Sequence, residues 1–415
     1  MTTIEEVRSW IEANWRLDLT LGEWWDRLAG AGYAFPSWPA GLGGRGATPA
    51  EERTVLTAIS DAGVVGPPSG NGPNMGAPTV LAHGTPEQQV RLIAPLARGR
   101  EAWAQLFSEP GAGSDLASLA TSAVLDGDEY VINGQKVWNS FADVSDWGML
   151  LARTDLDVPK HRGITFVMID MDQPGVDVRP LVQMNGVAEF SEVFLTDARA
   201  KVSNVIGEPG NGWAVARTTL AFERSKAGGG RARGVVTVGA GRKAGNLDRP
   251  VGDLIQEARR RREDRTVRNE VLLSARTLID LARELAREHD PVLRDRLMRY
   301  YADNQVYTWT GQRSRDNAKT GRPGPESSTI KLQLAMLAHR SRDLSMSMLG
   351  AEGMLMGDDA RHHGRVQMAG LSSFAASLGG GTNEIQRNII GEQTLGLPRE
   401  PAIDADVPFR ELRRS

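Results

Sequence analysis

The 415-residue chain contains no cysteine. That absence removes disulfides, thiolate nucleophiles and cysteine-ligated metals together. Histidine is scarce, with six residues scattered along the chain and only His362 and His363 adjacent. Neighbouring side chains diverge on a helix or a strand, so this pair is no two-ligand motif and no metal site is expected. There is no run of about 18 apolar residues, so no membrane span is expected. Met1-Thr2-Thr3-Ile4-Glu5-Glu6 has no basic region backed by an apolar stretch, and the chain reads as cytoplasmic without a secretory signal. A formal net charge of −3 gives no electrostatic reason to expect nucleic acid or an anionic membrane. Arg259-Arg260-Arg261-Arg262 is the one basic run; Glu263-Asp264 follow it inside a helical pattern, so it reads as a solvated helix face.

What is present suits two or three domains in the order α, β, α, an α+β class. Residues 1–104 read as helices joined by short loops. Thr3, with Glu6 three residues on, is a capping-box start for a helix through Trp15. Helical periodicity returns over Leu19 to Leu28, Pro49 to Asp61 and Thr85 to Ala97. Residues 105–212 read as a β domain, with a hairpin expected at Asn133-Gly134 between Glu129–Ile132 and Gln135–Trp138. Further strands are expected over Trp147 to Arg153, Ile164 to Met171, Val176 to Leu181 and Glu192 to Leu195. Residues 213–415 read as a helical bundle, with long segments at Trp213–Arg224, Leu254–Arg287, Pro291–Asn317, Ser327–Leu349 and Asn383–Leu395. Between them, Ser225 to Pro250 is glycine-rich and aperiodic, as a mobile loop would be. Most of the ten tryptophans are expected in cores or interfaces.

Three segments hold the residue types of a ligand site. Ser108-Glu109-Pro110-Gly111-Ala112-Gly113-Ser114-Asp115 combines hydroxyls with glycines that let backbone N–H groups approach a flavin edge or a phosphate; alone, such a segment is more often only a turn. Trp138 and Ser140 can stack on and hydrogen-bond a planar ring, or simply pack. Gly379-Gly380-Gly381-Thr382 opens into a helix whose N-terminus is an anion site on one reading, with Asn383 as its cap on the other.

In order and spacing, Ser108–Leu119, Asp126–Trp138, Gly207–Arg224 and Gly381–Pro398 resemble the signature regions of the acyl-CoA dehydrogenase family. The loop Gly43-Gly44-Arg45-Gly46 and the helix start His83-Gly84-Thr85-Pro86-Glu87-Gln88-Gln89 extend the resemblance over nearly the whole chain. It implies three domains: N-terminal helices, a middle β domain and a C-terminal four-helix bundle, with FAD between the last two. It also implies a trans-2-enoyl-CoA product from an acyl-CoA, and electron-transfer flavoprotein as the electron acceptor. Carried over by position, Phe107 and Ser108 contact the flavin pyrimidine edge, Gly113 and Ser114 lie where FAD or CoA contacts are made, Trp138 flanks the ring and Ser140 reaches N5. Arg224 binds the CoA chain and Thr382 touches FAD.

Departures from the family pattern bear on mechanism. Many members place the base, a glutamate, directly before Gly-Thr in the C-terminal loop; here Gly380 stands there. Others put it on the first bundle helix before an arginine, and Glu223-Arg224 match that arrangement, so Glu223 is the expected base, with a helix-surface role the alternative. The Gly380 backbone N–H remains available to the thioester carbonyl. The family's Arg-x-x-Phe-Gly segment is not recognisable after Arg224, and Ser347 stands near the place of an expected glutamine before Gly350-Ala351-Glu352-Gly353. The resemblance therefore leaves open a homotetramer or a heterotetramer with a related subunit. It equally leaves open a non-catalytic, FAD-sharing subunit, or a flavin oxidase or monooxygenase on the same fold.

Overall fold

The computed structural model describes residues 2–227, 236–263, 274–319, 326–401, 404 and 406–412; the side chains of 224–227, 261–263 and 318–319 fall outside that description. Five N-terminal helices come first: α1 (Ile4–Asn14), α2 (Leu21–Gly30), α3 (Pro49–Ala62), α4 (Ala77–His83) and α5 (Pro86–Ala97). Their starts are written locally. Thr20 with Glu23, Thr48 with Glu51 and Thr85 with Gln88 form reciprocal capping boxes, and proline occupies the first turn of α3 and α5, where no N–H is needed. Thr3 caps α1 by accepting from the Glu6 N–H at 3.1 Å. The Glu6 carboxylate accepts from the Tyr33 hydroxyl at 3.4 Å. Residues 72–83, which show no clear periodicity, are helical all the same: a π-turn, Gly72–Gly76, runs into α4. Trp24 and Trp25 are fully buried and donate to the carbonyls of Val65 and Gly66 at 2.7 and 2.8 Å. Cutting such a ring back to alanine costs ~3–5 kcal/mol.

A seven-stranded sheet follows: β1 (Trp103–Leu106), β2 (Ser122–Asp126), β3 (Glu129–Ser140), β4 (Trp147–Arg153), β5 (Ile164–Asp170), β6 (Val176–Leu181) and β7 (Phe190–Lys201). The order is β1-β4-β2-β3-β7-β6. β5 pairs antiparallel with β4, and β1 runs parallel to it. The expected hairpin at Asn133-Gly134 is not there. β3 runs straight through it, and the turn lies earlier, at Gly127-Asp128, with Asp126 opposite Glu129. Asn133 takes part in the sheet instead, donating to Asp197 Oδ1 at 3.0 Å and accepting from the Asp197 N–H at 2.9 Å, where a bulge shifts the β3–β7 register. Gly134 answers to crowding: a Cβ there would collide with Thr121. Tertiary pairing overrides the local turn signal.

The helices that end the chain are α6 (Gly212–Ala227), α7 (Val251–Glu263), α8 (Ala275–Glu284), α9 (Pro291–Lys319), α10 (Glu326–Leu349), α11 (Arg365–Ser372), α12 (Ala375–Leu378) and α13 (Asn383–Ile389). The segment expected from Leu254 to Arg287 holds α7 and α8, with 264–273 outside the described residues. Of the glycine-rich stretch, 228–235 also lie outside; 236–250 have neither helix nor strand, yet are tied down by Gly66 N–H to Val236, Gly241 N–H to Gly99, and the Arg242–Asp146 pair at 2.9 Å. Arg259 and Arg260 are exposed on α7.

Among the described residues, three apolar cores result. One joins the N-terminal helices to one face of the sheet and takes in Val215, Ala216, Val251 and Leu254 from α6 and α7. A second lies within the β domain, under Leu150, Val167 and Val193. The third is built by four helices, α8 to α11, around Leu278, Leu297, Tyr300 and Leu344.

Candidate active site

The loop from Ser108 to Asp115 leaves β1 under the control of an internal ion pair. Lys136 of β3 has 0% side-chain exposure; its Nζ lies 2.8 Å from Glu109 Oε1 and donates to the Phe107 carbonyl at 3.0 Å. Glu109 also accepts from the N–H groups of Ala120 and Thr121 at 2.7 and 2.9 Å, so one carboxylate ties both ends of the loop. Burial pulls the Lys136 ammonium down to about 8, against the pull of Glu109. Burial pushes Glu109 up, but the Lys136 charge and these hydrogen bonds outweigh it and hold the carboxyl below its ordinary range. Phe107 is buried edge-on to Phe166, ring centroids 5.9 Å apart, and the Ser108 carbonyl accepts from the Val137 N–H at 2.9 Å. The outer half is open: a Cβ on Gly111 or Gly113 would meet nothing within 4 Å, and Ser114 is exposed.

Val137 leads into a strained stretch. The β3–β7 register shifts between Lys136 and Asn139, and Trp138 takes φ +64°, left-handed backbone that a bulky side chain rarely adopts. At this bulge the indole is 56% exposed and meets Phe190 in a T-shaped pair, ring centroids 5.8 Å apart. Phe141, at φ +61°, is 50% exposed. Between them, Asn139 is fixed by donating to the Ser191 carbonyl at 3.1 Å, and Ser140 is half-buried, its carbonyl 3.5 Å from Asn71 Nδ2. Two exposed aromatic residues thus stand on either side of Ser140 in the chain. Strain of this kind costs ~1–3 kcal/mol per residue and persists where the surroundings enforce it.

Glu223 arrives from the other side. α6 begins at Gly212, where a Cβ would stand 2.5 Å from the Phe166 nitrogen, so glycine lets the helix seat on β5. Thr219 Oγ1 lies 3.0 Å from Thr79 Oγ1, and Thr218 Oγ1 lies 2.8 Å from His83 Nε2, locking α6 to α4. One turn past Thr219, the half-buried Glu223 accepts from Gln105 Nε2 on β1 at 3.3 Å. Arg224 lies in the same helix, its side chain outside the described residues.

The C-terminal loop is anchored from the bundle. Gly380 and Gly381 sit at φ +65° and +85°, and the Gly380 carbonyl accepts from the buried Gln386 Nε2 at 2.8 Å. Thr382, not Asn383, caps α13, accepting from the Ile385 N–H at 3.3 Å; Asn383 is the first helical residue. Phe107 and Ser108 thus follow β1, Trp138 and Ser140 lie on β3, and Glu223 reaches β1 through Gln105, while Gly380 and Thr382 are held at the start of α13. The β domain and the bundle meet where Asn185 Nδ2 donates to the buried Ser372 hydroxyl at 3.0 Å.

Family models for the acyl-CoA dehydrogenase N-terminal, middle and C-terminal domains match residues 3–100, 104–198 and 266–395. The chain belongs to the acyl-CoA dehydrogenase family. It is 39% identical to acyl-CoA dehydrogenase IpdE1 of Mycobacterium tuberculosis over 384 residues, 91% of this chain and 88% of that protein. It is 35% identical to IpdE1 of Mycolicibacterium smegmatis, with the same coverage. Among solved structures, it is similar to the ChsE4-ChsE5 complex from Mycobacterium tuberculosis (27% identity, TM-score 0.64, 96% and 97% of the two chains). In fold it is also similar to the Tcur3481-Tcur3483 steroid ACAD (24%, TM-score 0.66, 96% and 97%). As an acyl-CoA dehydrogenase it is an oxidoreductase acting on CH–CH bonds, in a family generally dependent on FAD.

In this acyl-CoA dehydrogenase, Gln105 and Lys136 hold candidate residues in place without being candidates themselves. Gln105 is the polar residue in the otherwise apolar run Trp103-Ala104-Gln105-Leu106-Phe107, and Lys136 is a lone cation in a strand; each was a visible signal. Phe141 carries no such mark. The adjacent histidines go separate ways, His362 to Glu284 at 2.9 Å and His363 to Asp358 at 3.1 Å.

Proposed function

We propose that this chain oxidises an acyl-CoA thioester to the trans-2-enoyl-CoA with bound FAD. The observations carrying the proposal are the pairing of Glu223 with Gln105 of β1 at 3.3 Å and, at the end of β3, the exposed Trp138 and Phe141 next to Ser140 in the chain. A planar, polar-edged group fits that surface. The exposed rings offer faces to stack on, and Gly111 and Gly113 leave room for backbone N–H groups to approach it.

In this reading Phe107, Ser108, Gly113, Trp138, Ser140 and Thr382 hold the flavin, and Ser114 and Arg224 hold the CoA moiety. When bound, FAD supplies the two-electron acceptor that takes the β hydrogen as hydride. Glu223 takes the α proton, a role worth roughly 10²–10⁴ in rate. Gln105 holds the carboxylate in place. The Gly380 N–H donates to the thioester oxygen as negative charge gathers on it. Electron-transfer flavoprotein would be the electron acceptor for the bound cofactor.

A second reading concerns assembly. Ser347 spends its hydroxyl within the chain, donating to the Leu344 carbonyl at 2.8 Å and accepting from Arg296 at 3.3 Å. We infer that a related partner subunit completes the FAD site in a heterotetramer, the homotetramer being the alternative; likeness to the ChsE4-ChsE5 complex supports this. The test is anaerobic mixing of the yellow protein, alone and with a co-encoded partner, against a panel of acyl-CoAs. Flavin bleaching with at least one thioester is expected. Bleaching with none, or reduced flavin that air reoxidises rapidly with product bound, would reject the dehydrogenase reading in favour of a non-catalytic subunit or an oxidase.

A further inference from the structure

The family match ends at residue 395, yet the chain beyond it comes back to the β domain. The N–H groups of Phe409 and Arg410 donate to the carbonyls of Val158 and Leu156, both at 3.0 Å, on the β4–β5 loop, and Arg410 pairs with Asp157. Two side chains of this tail reach further. Phe409 is buried with its ring 3.7 Å from the Arg153 guanidinium, and Arg153 donates to the carbonyls of Ala117 (2.6 Å), Leu119 (3.2 Å) and Lys160 (2.7 Å). Asp404 Oδ2 lies 2.9 Å from Lys160 Nζ, which also donates to Asp115 Oδ2 at 3.0 Å; the Ser118 hydroxyl donates to that same oxygen at 2.5 Å. Both routes end on residues 115–119, directly after Gly113 and Ser114. The far end of this turn is also seated by the buried Leu116, Ala117 and Leu119 and by Glu109, whereas at its outer end Ser114 is exposed and a Cβ on Gly113 meets nothing within 4 Å.

We propose that Asp404 and Phe409 are positioning residues, a C-terminal clamp that sets the Ser114 loop through Lys160 and Arg153. Asp404 orients the Lys160 ammonium toward Asp115, and Phe409 keeps water from the guanidinium that gathers the carbonyls of the turn. Its functional consequence rests on the reading of Ser114 as a CoA contact, so the experiment needs one measurement independent of turnover.

That measurement is hydrogen–deuterium exchange on the full-length protein, comparing the parent with Asp404→Asn, Phe409→Ala and the double variant. Exchange over residues 113–119 and 154–162 is expected to speed by about tenfold in the double variant while α2 stays unchanged. In parallel, KM for the best acyl-CoA is expected to rise about tenfold with kcat within about twofold, and Phe409→Tyr to behave as the parent. Unchanged exchange in the 113–119 loop would overturn the clamp, as would exchange rising equally in α2. Asp404→Asn leaves Phe409 buried and keeps the test valid if the double variant folds poorly. A parent that bleaches with no acyl-CoA, but whose double variant still shows the local exchange change, would leave the clamp standing and remove the dehydrogenase reading instead.

Discussion

Gln105 and Glu223, 118 residues apart in sequence, are joined by an Nε2–H to Oε2 hydrogen bond of 3.3 Å that ties β1 to α6. The bond aims a carboxylate from the first helix after the β domain toward the strand that leads into Phe107 and Ser108. If Glu223 is the base, Glu223→Gln keeps volume and reach but loses the proton acceptor. Flavin bleaching is expected to slow by a factor on the order of 10² or more, with FAD and acyl-CoA binding retained. Stopped-flow absorbance reads this directly. Bleaching at the parent rate would take Glu223 out of the mechanism.

Trp138 offers a test in which stability and binding part company. Trp138→Gly relieves the left-handed backbone at φ +64° but gives up the edge contact with Phe190. Each effect is worth about 1 kcal/mol and they oppose, so the apoprotein is expected to melt near its parent temperature. FAD affinity, read by fluorescence titration, is expected to fall about tenfold for loss of one stacking face. A large drop in apoprotein stability with unchanged FAD affinity would make the indole structural.

The buried Lys136–Glu109 pair carries a pH signature. Glu109 is held below the ordinary carboxylate range in the folded chain, so the unfolded chain binds its proton first as pH falls. The stability it contributes is present above the unfolded value of about 4.3 and is lost as pH drops through the folded one. Lys136, pulled down to about 8, still carries its charge at neutral pH. Lys136→Met strands a buried carboxylate and is expected to cost ~3–5 kcal/mol at pH 7. That deficit is expected to shrink in urea melts toward pH 3, where the stranded group takes up a proton. A deficit independent of pH would mean that the loss is one of packing alone.

Local rules and long-range pairing explain what could be read in advance. The start of α1 was legible because Thr3 and the Glu6 N–H are three residues apart, although the Glu6 carboxylate, expected to complete a capping box, turns to Tyr33 instead. Asn133-Gly134 misled for the opposite reason: its conformation is set by Asp197 and Thr121, distant in sequence, and nothing local reports them. The site divides the same way. Phe107, Ser108, Trp138, Ser140 and Glu223 were nameable by resemblance, but the devices that fix them were not. Gln105, Lys136, Thr79 and His83 act through partners on other elements, and Trp138 is bared by a register shift between two strands. The tail at Phe409 lies beyond the matched family domains, so resemblance could say nothing of it.

Gly380 separates a role for a side chain from a role for a backbone. Its φ of +65° is one that L-residues adopt at a penalty, while a Cβ built there meets nothing within 4 Å. Gly380→Ala therefore adds strain without collision and is expected to lower stability by about 1 kcal/mol. The backbone N–H survives the change. If that N–H is what receives the thioester oxygen, bleaching with saturating acyl-CoA stays within about tenfold of the parent, since loss of one such donor costs roughly 10²–10³. Gly380→Glu in the Glu223→Gln background then asks whether a carboxylate on this loop reaches the same α carbon. Open space around the position allows the side chain, and partial recovery of bleaching over Glu223→Gln alone is expected. A Gly380→Ala chain that binds FAD normally yet bleaches 10²-fold or more slowly would show that the surviving N–H does not account for the role of this position, and its assignment as the oxyanion donor would have to be given up.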